Sequence, residues 1–208
     1  MSETDITLHL MTVTDITRIV RMGRWEPDAR GRLRVAALEL YAERGYEQTT
    51  VADIAERAGV TERTFFRQFT DKREVLFEGS EALQDAVLAS IAAAPDNLSP
   101  LEIMANAMES AGALLSAQPA GYPRIRATVV AANPSLQERE LLKLATLAIA
   151  AAAALQRRGV SPLAAQVAAQ SGVTIFSTGF ERWVEPGQTD DFATCMRSAL
   201  AELRALTA

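Results

Sequence analysis

Two short helical segments joined by a glycine-containing turn restrict the fold of this chain more than any other feature. The first opens with the capping-box pattern Thr50–Asp53 and ends at Gly59. The second follows the capping residue Thr61 and carries Phe65 and Phe69 one helical turn apart. Segments of this length bury little surface alone, so neighbouring helices must supply the rest of the core. The spacing favours a helix-turn-helix, although an ordinary run of short packed helices fits it equally well.

Helical spacing of apolar residues continues on both sides of this pair. No segment of useful length alternates between apolar and polar residues, so the predicted fold class is all-α. Further capping boxes are predicted at Asp71–Glu74, where a long helix would begin, and at Ser99–Glu102. The predicted helices outside the pair cover residues 30–44, 72 to about 92, 100–118, 122–132, 134–158, 162–184 and 190–206.

The composition excludes several classes of site and location. The single cysteine, Cys195, excludes an internal disulfide framework and a cysteine-based zinc cluster. The single histidine, His9, lies near the start of the chain, so a histidine-centred catalytic triad or metal site is not expected. The longest uncharged apolar run, Leu144–Leu155, is shorter than the roughly 20 residues of a membrane span. We therefore expect a cytoplasmic protein without membrane association, metal, cofactor or catalytic residues.

The charge is distributed unevenly along the chain. The 21 Lys and Arg residues and 26 Asp and Glu residues give a net charge of −5. From Arg18 to Arg73 the basic residues outnumber the acidic ones by 12 to 9, whereas the remainder holds 9 basic and 17 acidic residues. A basic N-terminal third joined to an acidic remainder indicates two tasks, and a polyanion is a compatible partner for the first.

The residues around the two short segments form a specific pattern. It runs through Ala36–Tyr46, Thr49–Ala55 and Ala58–Phe69 and ends with Asp71–Leu76. This pattern resembles the DNA-binding region of the TetR family of bacterial transcriptional regulators, from Arg30 to Leu76 without a gap. The resemblance does not extend through the rest of the chain, which in this family varies with the ligand.

Two residues depart from what the family often has. Phe66 stands where tyrosine is frequent, so one hydroxyl donor to a DNA phosphate is missing. Arg67 stands where histidine is frequent and supplies a permanent charge instead.

The resemblance implies a domain organisation and a set of partners. It implies a three-helix DNA-binding domain with the helix-turn-helix at residues 29–75 and a helical domain for effector binding and dimerisation at residues 76–208. Residues 1–28, which precede the resemblance and show no sustained periodicity, are interpreted as a flexible arm. The expected function is that of a ligand-responsive transcriptional regulator, most simply a repressor. A homodimer would bind a palindromic DNA operator and be released by a small molecule of unknown identity.

The second short segment supplies the predicted contacts with base edges. Phe65 and Phe69 point into the core, so the opposite and flanking faces of the helix turn toward the major groove. Arg63 is the best candidate for base readout, because its guanidinium matches the two acceptors of guanine. Glu62 either accepts from a cytosine amine or repels phosphates. The neighbouring candidates are Thr64 and Arg67 for phosphates, and Phe66 for sugar or a thymine methyl group.

Phosphate contacts are expected at the helix starts. By resemblance, Thr49 or Thr50 would meet one phosphate and Lys72 another, the latter aided by the helix dipole. Thr50 and Thr61 are helix caps first, so any contact with DNA is an additional role; Thr61 is kept among the DNA-binding candidates.

The last two predicted helices are expected to form the homodimer interface, as is usual in the family. The helix after Pro162 contains small residues that would let a partner helix approach closely. The last helix carries an apolar stripe. The small residues are Ser171, Gly172, Thr174, Ser177, Thr178 and Gly179, and the stripe consists of Phe192, Met196, Leu200 and Leu203.

Apolar residues of the C-terminal part are candidates for a ligand cavity. For any single one of them, ordinary core packing is the better interpretation, but methionine adapts to irregular ligands and pockets often lie between helices. A mainly aliphatic lining would suit a lipophilic effector or an acyl chain. The candidate lining residues are Phe77, Met104, Met108, Leu144, Phe176 and Phe180.

Two other function classes compete with a DNA-binding regulator. An enzyme in a helical scaffold would have no ligand-spaced Cys/His set and no phosphate-binding glycine motif. An acid–base pair of carboxylates stays open for it, although the acidic residues are dispersed along the sequence. A helical small-molecule binding protein without DNA-dependent switching is the second alternative. Replacement of Arg63 separates these classes, because only a regulator would lose sequence discrimination.

Overall fold

The computed structural model describes residues 29–119 and 121–206, and within these ranges every regular element is helical, which confirms the all-α prediction. The predicted arm, residues 1–28, lies outside the described residues. The α-helices are α1 (Ala29–Arg44), α2 (Val51–Arg57), α3 (Glu62–Gln68), α4 (Ser80–Ala93), α5 (Pro100–Ser116), α6 (Tyr122–Ala131), α7 (Pro134–Arg157), α8 (Pro162–Val184) and α9 (Phe192–Ala205), with a 3₁₀ turn at Glu74–Phe77.

The chain divides into two compact units. The described part of the first unit is residues 29–72 with 119 and 121, and the second unit comprises 73–118 and 122–206. Helices α1, α2 and α3 form the first unit around a small apolar core, in which Leu33, Ile54 and Phe65 have no exposed surface. Each of the three helices buries one face, and the burial of these side chains holds the short α2 and α3 in place.

Helix starts follow the capping pattern of the sequence at three places. At α2 the Thr50 hydroxyl accepts from the Asp53 backbone N–H at 3.1 Å, and the Asp53 carboxylate accepts from the Thr50 N–H at 2.8 Å. Thr61 caps α3 through the N–H of Thr64, and Ser99 forms a capping box at α5. These three caps were predicted and are confirmed.

The long helix predicted from residue 72 to about 92 is wrong as a single element. A 3₁₀ turn at Glu74–Phe77 precedes α4, and Gly79 between them has φ +87°. A helical ladder cannot continue through a left-handed residue, which glycine adopts without steric cost. The capping box predicted at Asp71–Glu74 is not formed either, since Arg73 is the N-cap and makes no side-chain cap bond.

Arginines from α6 and α7 hold the 3₁₀ turn. Arg126 donates to the carbonyl of Leu76 at 2.8 Å and pairs with Glu140 at 2.8 Å. Arg139 pairs with Glu74 at 2.7 Å. The turn is thus fixed to α6 and α7 by charge-assisted hydrogen bonds, which are stronger than neutral ones.

The core of the second unit contains residues from α4, α5, α7, α8 and α9. An aromatic group lies where α8 meets α9, and Trp183 stacks on Phe192 with ring centroids 5.0 Å apart. Phe176 approaches the same ring edge-on at 5.4 Å. Met104 and Met108 of α5 have no exposed surface and lie in the same apolar cluster.

Glycines of α8 serve close packing within the chain, whereas the sequence suggested a dimer face for them. A Cβ at Gly179 would lie 2.8 Å from Met196 Cγ and 3.0 Å from Met196 Cα. A Cβ at Gly172 would lie 2.7 Å from Met104 Cε. Phe192 and Met196 of the predicted α9 stripe are likewise buried inside the unit. These four residues are therefore removed from the proposed dimer surface.

Gly179→Ala is expected to destabilise the second unit by about 1–3 kcal/mol, the usual cost of overpacking. The added methyl group would meet backbone atoms of Met196, which move only if α9 moves. This cost exceeds the ~1 kcal/mol that alanine gains over glycine in a helix. The measurement is urea unfolding. The control is Gly172→Ala, where the shortest contact is with the flexible end of Met104 and the loss should be smaller. A Gly179→Ala protein as stable as wild type would contradict the expectation.

Candidate nucleic-acid interface

Helix α3 divides its side chains between the core and the outer surface. Phe65 is fully buried, and Phe69, the residue that ends the helix, is 4% exposed. Glu62, Arg63 and Arg67 are exposed. This is the division predicted from the spacing of the two phenylalanines.

The two arginines of α3 are available to a ligand. Within the part of the chain that the structure describes, neither Arg63 nor Arg67 makes an ion pair or a side-chain hydrogen bond. Phe66 lies between them in the sequence with 56% of its surface exposed, and its ring meets Phe65 edge-on at 5.4 Å. An exposed apolar ring beside two free guanidinium groups is suited to contact with phosphates, sugars and base edges.

Other arginines of the first unit neutralise its carboxylates. Arg57 pairs with Glu43 at 2.9 Å and with Glu39 at 3.3 Å, and the hydrogen bond from Arg57 lowers the pKa of Glu43. Arg44 pairs with Asp53 at 2.9 Å. The pKa of Asp53 is lowered mainly because the Thr50 hydroxyl and N–H donate to its carboxylate. Three negative charges of the unit are thereby matched by internal partners.

The threonines at the helix starts have different accessibility. Thr50 is exposed, and its hydroxyl donates to Asp53 Oδ2 at 2.6 Å. Thr61 is exposed and Thr64 half-buried, with their hydroxyl oxygens 3.1 Å apart. Contacts of Thr50, Thr61 and Thr64 with DNA remain proposals, each in addition to a capping bond.

Two residues predicted to contact phosphates, Thr49 and Lys72, make hydrogen bonds within the first unit. Thr49 has no exposed surface, and its hydroxyl donates to the carbonyl of Gly45 at 2.8 Å, so it cannot meet a phosphate. The Lys72 ammonium donates to the carbonyls of Tyr46 and Thr49, each at 2.9 Å. Thr49 is therefore removed from the proposed set of DNA contacts, whereas Lys72 is half-buried and its contact with a phosphate remains a proposal.

Sequence reasoning missed the two tyrosines beside Lys72. The hydroxyl of Tyr41 donates to the Lys72 carbonyl at 2.7 Å, and burial raises the pKa of that phenol. Tyr46 meets Tyr41 edge-on at 5.2 Å. Their helical spacing marked Tyr41 as a core residue, but nothing in the sequence marked the polar contacts.

The predicted ligand-lining residues form core packing in the described part of the second unit. Met104, Met108 and Phe176 belong to its apolar cluster, and Leu144 and Phe180 pack against that cluster. Phe77 is buried below the guanidinium of Arg126, which lies 5.1 Å from the ring centroid. An open groove of about 460 Å³ lies elsewhere. It is lined by Leu163, Gln166, Val167, Gln170, Ser171, Thr174 and Leu203 of α8 and α9.

The described helices place limits on other sites. None of them combines the length and the apolar character that a membrane crossing requires. Nor do the residues that the structure describes contain a group of three or more His, Cys, Asp or Glu side chains suited to a metal ion.

Fold and site together define a class: in its described residues the protein is all-α and has a helix-turn-helix, the second helix of which exposes arginines that pair with no described residue. Residues 33–78 match the family model described as bacterial regulatory proteins, tetR family. Residues 33–78 thus carry the DNA-binding region of the TetR family.

Similar proteins were found by sequence and by structure. The HTH-type transcriptional regulator TcmR of Streptomyces glaucescens is 42% identical over 81 residues, which are 39% of this chain and 36% of that protein. The match thus spans little more than a third of the length of this curated relative.

Two solved structures share the fold over most of both chains. The fatty acid degradation regulator FadR of Bacillus halodurans has a TM-score of 0.58 and 18% identity, covering 85% of this chain and 95% of that one. FadR of Bacillus subtilis, solved in complex with stearoyl-CoA, has a TM-score of 0.55 and 22% identity. The match covers 83% of this chain and 96% of that one. At these identities the likeness shows the fold.

Proposed function

We propose that this protein is a ligand-responsive transcriptional repressor of the cytoplasm, which binds a palindromic operator as a homodimer and is released by a small lipophilic effector. The observation that carries the proposal is the outer face of α3, where Arg63, Phe66 and Arg67 are exposed and the two arginines make no ion pair or side-chain hydrogen bond with any described residue. The match of residues 33–78 to the TetR family model supports the same conclusion.

The chemistry of this face suits DNA better than another polyanion. An arginine near the start of a recognition helix can donate two hydrogen bonds to the O6 and N7 atoms of guanine. Arg67, one turn later, is placed for the phosphate backbone, and Phe66 for a sugar or a thymine methyl group. Glu62 would accept a hydrogen bond from a cytosine amine or repel phosphates. The roles of all four residues are part of the proposal.

The decisive experiment is selection of bound DNA from a random pool by the full-length protein. We expect a palindrome whose half-sites are separated by about one helical turn, roughly 34–36 Å, or a multiple of it. Selection of no sequence, with no binding to any duplex at low salt, would overturn the proposal. A helical binding protein without DNA-dependent switching would then be the better description.

The proposed dimer uses exposed residues of the last two helices. Leu163 and Val167 of α8 are 74% and 57% exposed, and they line the groove between α8 and α9 together with Leu203. Apolar side chains this exposed, in one groove with small polar residues, are typical of a helix–helix interface. Face-to-face contact of two copies around a two-fold axis would cover them.

Val167→Glu is expected to convert the dimer into a monomer, because it would bury unpaired charges in the proposed interface. Sedimentation analysis gives the mass directly. The matched control is Ile149→Glu on α7, which changes an apolar residue of even higher exposure, 71%, outside the groove. A dimer that survives Val167→Glu but dissociates on Ile149→Glu would place the interface on α7 instead.

The effector is proposed to be a lipophilic molecule or acyl thioester. The supporting observations are the aliphatic and methionine-rich core of the second unit and the stearoyl-CoA complex of the Bacillus subtilis FadR structure. Met104 and Met108 are fully buried, so an effector must displace packed side chains to enter between the helices. It can release DNA only if it binds the released conformation more tightly than the DNA-bound one. Operator release by stearoyl-CoA, with free coenzyme A as control, tests this class.

A further inference from the structure

The turn between α2 and α3 closes α2 with backbone hydrogen bonds. The N–H of Gly59 donates to the Glu56 carbonyl at 3.0 Å, and the N–H of Val60 donates to the Ala55 carbonyl at 2.9 Å. With Gly59 at φ +66°, these two bonds form a Schellman motif. The motif satisfies two carbonyls at the end of α2, and the carbonyl of the C-cap residue, Ala58, lies outside it.

An arginine of α1 binds the Ala58 carbonyl. Arg32 is half-buried, and its Nε donates to the Ala58 oxygen at 3.1 Å. The two residues are 26 residues apart in sequence, and Ala58 is buried. A buried carbonyl costs free energy when it loses its partner, and a bond from a charged donor is stronger than a neutral one. Arg32 thus fixes the end of α2 to the first turn of α1.

The first turn of α1 also contacts the end of α3. The guanidinium of Arg30 lies 5.0 Å from the centroid of the Phe69 ring, a cation–π distance. Phe69 is the C-cap of α3, and Ala58 comes three residues before the N-cap, Thr61. Two arginines of α1 therefore contact the chain on both sides of α3, just before the helix starts and just after its last helical residue.

We propose that Arg32 is a positioning residue of α3: its bond to Ala58 sets the turn from which α3 starts, and thereby the direction in which Arg63 meets a base. This inference rests on the proposed function of α3. Only residues 59–62 separate Ala58 from Arg63, so a shift of the turn is passed on to the arginine. Hydrogen bonds to a base edge require distances of about 2.7–3.2 Å. Base readout therefore suffers more from such a shift than the electrostatic attraction to phosphates, which carries no sequence information.

The test compares two neutral variants, Arg32→Gln and Arg32→Met. At the position of the arginine Nε, glutamine has the NH₂ group of its amide, whereas methionine has a methyl group. The two variants lose the same charge and have similar helix propensities. Any direct effect of the charge on DNA binding is therefore the same in both, and the difference between them measures the bond to Ala58. Titrations are made at a temperature where all proteins are fully folded.

Arg32→Met is expected to lower the ratio of operator affinity to random-duplex affinity about tenfold to a hundredfold relative to Arg32→Gln. Without the bond the turn relaxes, and its return to the bonded arrangement costs up to about one hydrogen bond, or roughly tenfold in affinity, in each copy of a dimer. Equal ratios in the two variants, at the wild-type value or below it, would overturn the proposal, because the bond to Ala58 would then play no part in recognition.

Amide hydrogen exchange in the free protein gives a readout independent of DNA. Arg32→Met should speed exchange of the Gly59 and Val60 amides about tenfold relative to Arg32→Gln, because the turn opens more often. The control is the Phe69 N–H, which donates to the Phe65 carbonyl at 2.9 Å and should exchange alike in the two variants.

Two results of the exchange experiment would overturn the positioning role. Equal acceleration at all three amides would show that Arg32 only stabilises the first unit as a whole. No difference at Gly59 and Val60 would show that the bond does not hold the turn. Absence of DNA binding by the wild type would overturn the proposed function, and with it the role of Arg32 in recognition. The exchange contrast separates these failures, because it persists when the function alone fails.

Discussion

Replacement of Phe65 by alanine is expected to cost about 3–5 kcal/mol and to abolish DNA binding. Phe65 has no exposed surface, and its ring lies 5.7 Å from that of Phe69. The first unit has a small core. The free energy lost to the cavity is therefore a large share of a total free energy of unfolding of roughly 5–15 kcal/mol. Loss of the core would release α3 from α1 and α2.

The neighbouring Phe66 provides a matched control for this variant. Phe66→Ala removes the same ring from the next residue of α3, where 56% of the side chain is exposed. We expect stability to change by only about 0.5 kcal/mol, while DNA affinity falls through loss of an apolar contact. Hydrogen exchange of residues 30–69 follows the first unit separately from the second. Equal stability losses in the two variants would contradict the assignment of core and surface on α3.

Arg63→Ala is expected to remove sequence discrimination at one base position of each half-site, by about 1–3 kcal/mol. The guanidinium is exposed and makes no ion pair with any described residue. Its bidentate bond to guanine would therefore form without breaking an internal one. Because a dimer uses two copies, the effect on a symmetric operator should be roughly twice as large. Competition between the selected operator and single-base variants measures it.

Arg67→Ala is the control for this loss of discrimination. It removes a charge of the same kind from the same helix, but from a position proposed for the phosphate backbone. Affinity should then fall to a similar extent for all sequences, with the preference among bases retained. If Arg63→Ala also weakened all sequences equally, Arg63 would be a backbone contact, and base readout would have to come from elsewhere.

The sequence was sufficient to predict elements whose cause is local. The caps at Thr50, Thr61 and Ser99 depend on side chains within three residues, so their pattern can be seen in the sequence. The inward direction of Phe65 and Phe69 follows from helical periodicity. These features establish the helix-turn-helix and the exposed face of α3.

The interruption before α4 escaped prediction because the apolar spacing continues across it. Leu76, Leu83, Val87 and Ile91 keep helical intervals on both sides of Gly79. Periodicity records which residues are apolar and does not record the backbone conformation between them. Glycine at position 79 within a helical pattern was the available signal.

The internal hydrogen bonds of Lys72 are contacts that local sequence does not specify. Its ammonium meets carbonyls of Tyr46 and Thr49, more than twenty residues earlier in the chain. The same holds for Gly172 and Gly179 of α8, because a small residue permits close approach whether the neighbour is Met104 of this chain or a helix of another. Only the tertiary arrangement distinguishes these cases.

The glycine joint at residue 79 has a mechanical consequence. The ladder of α4 begins at the Gly79 carbonyl, which accepts from the Leu83 N–H at 2.9 Å, and the Ser80 hydroxyl donates back across the joint to the Phe77 carbonyl. A rotation about the backbone bonds of Gly79 would therefore have to break these two bonds. Arg126 of α6 and Arg139 of α7 bind the 3₁₀ turn at Glu74–Phe77 directly. A displacement of α6 or α7 would therefore act on the turn through charge-assisted hydrogen bonds.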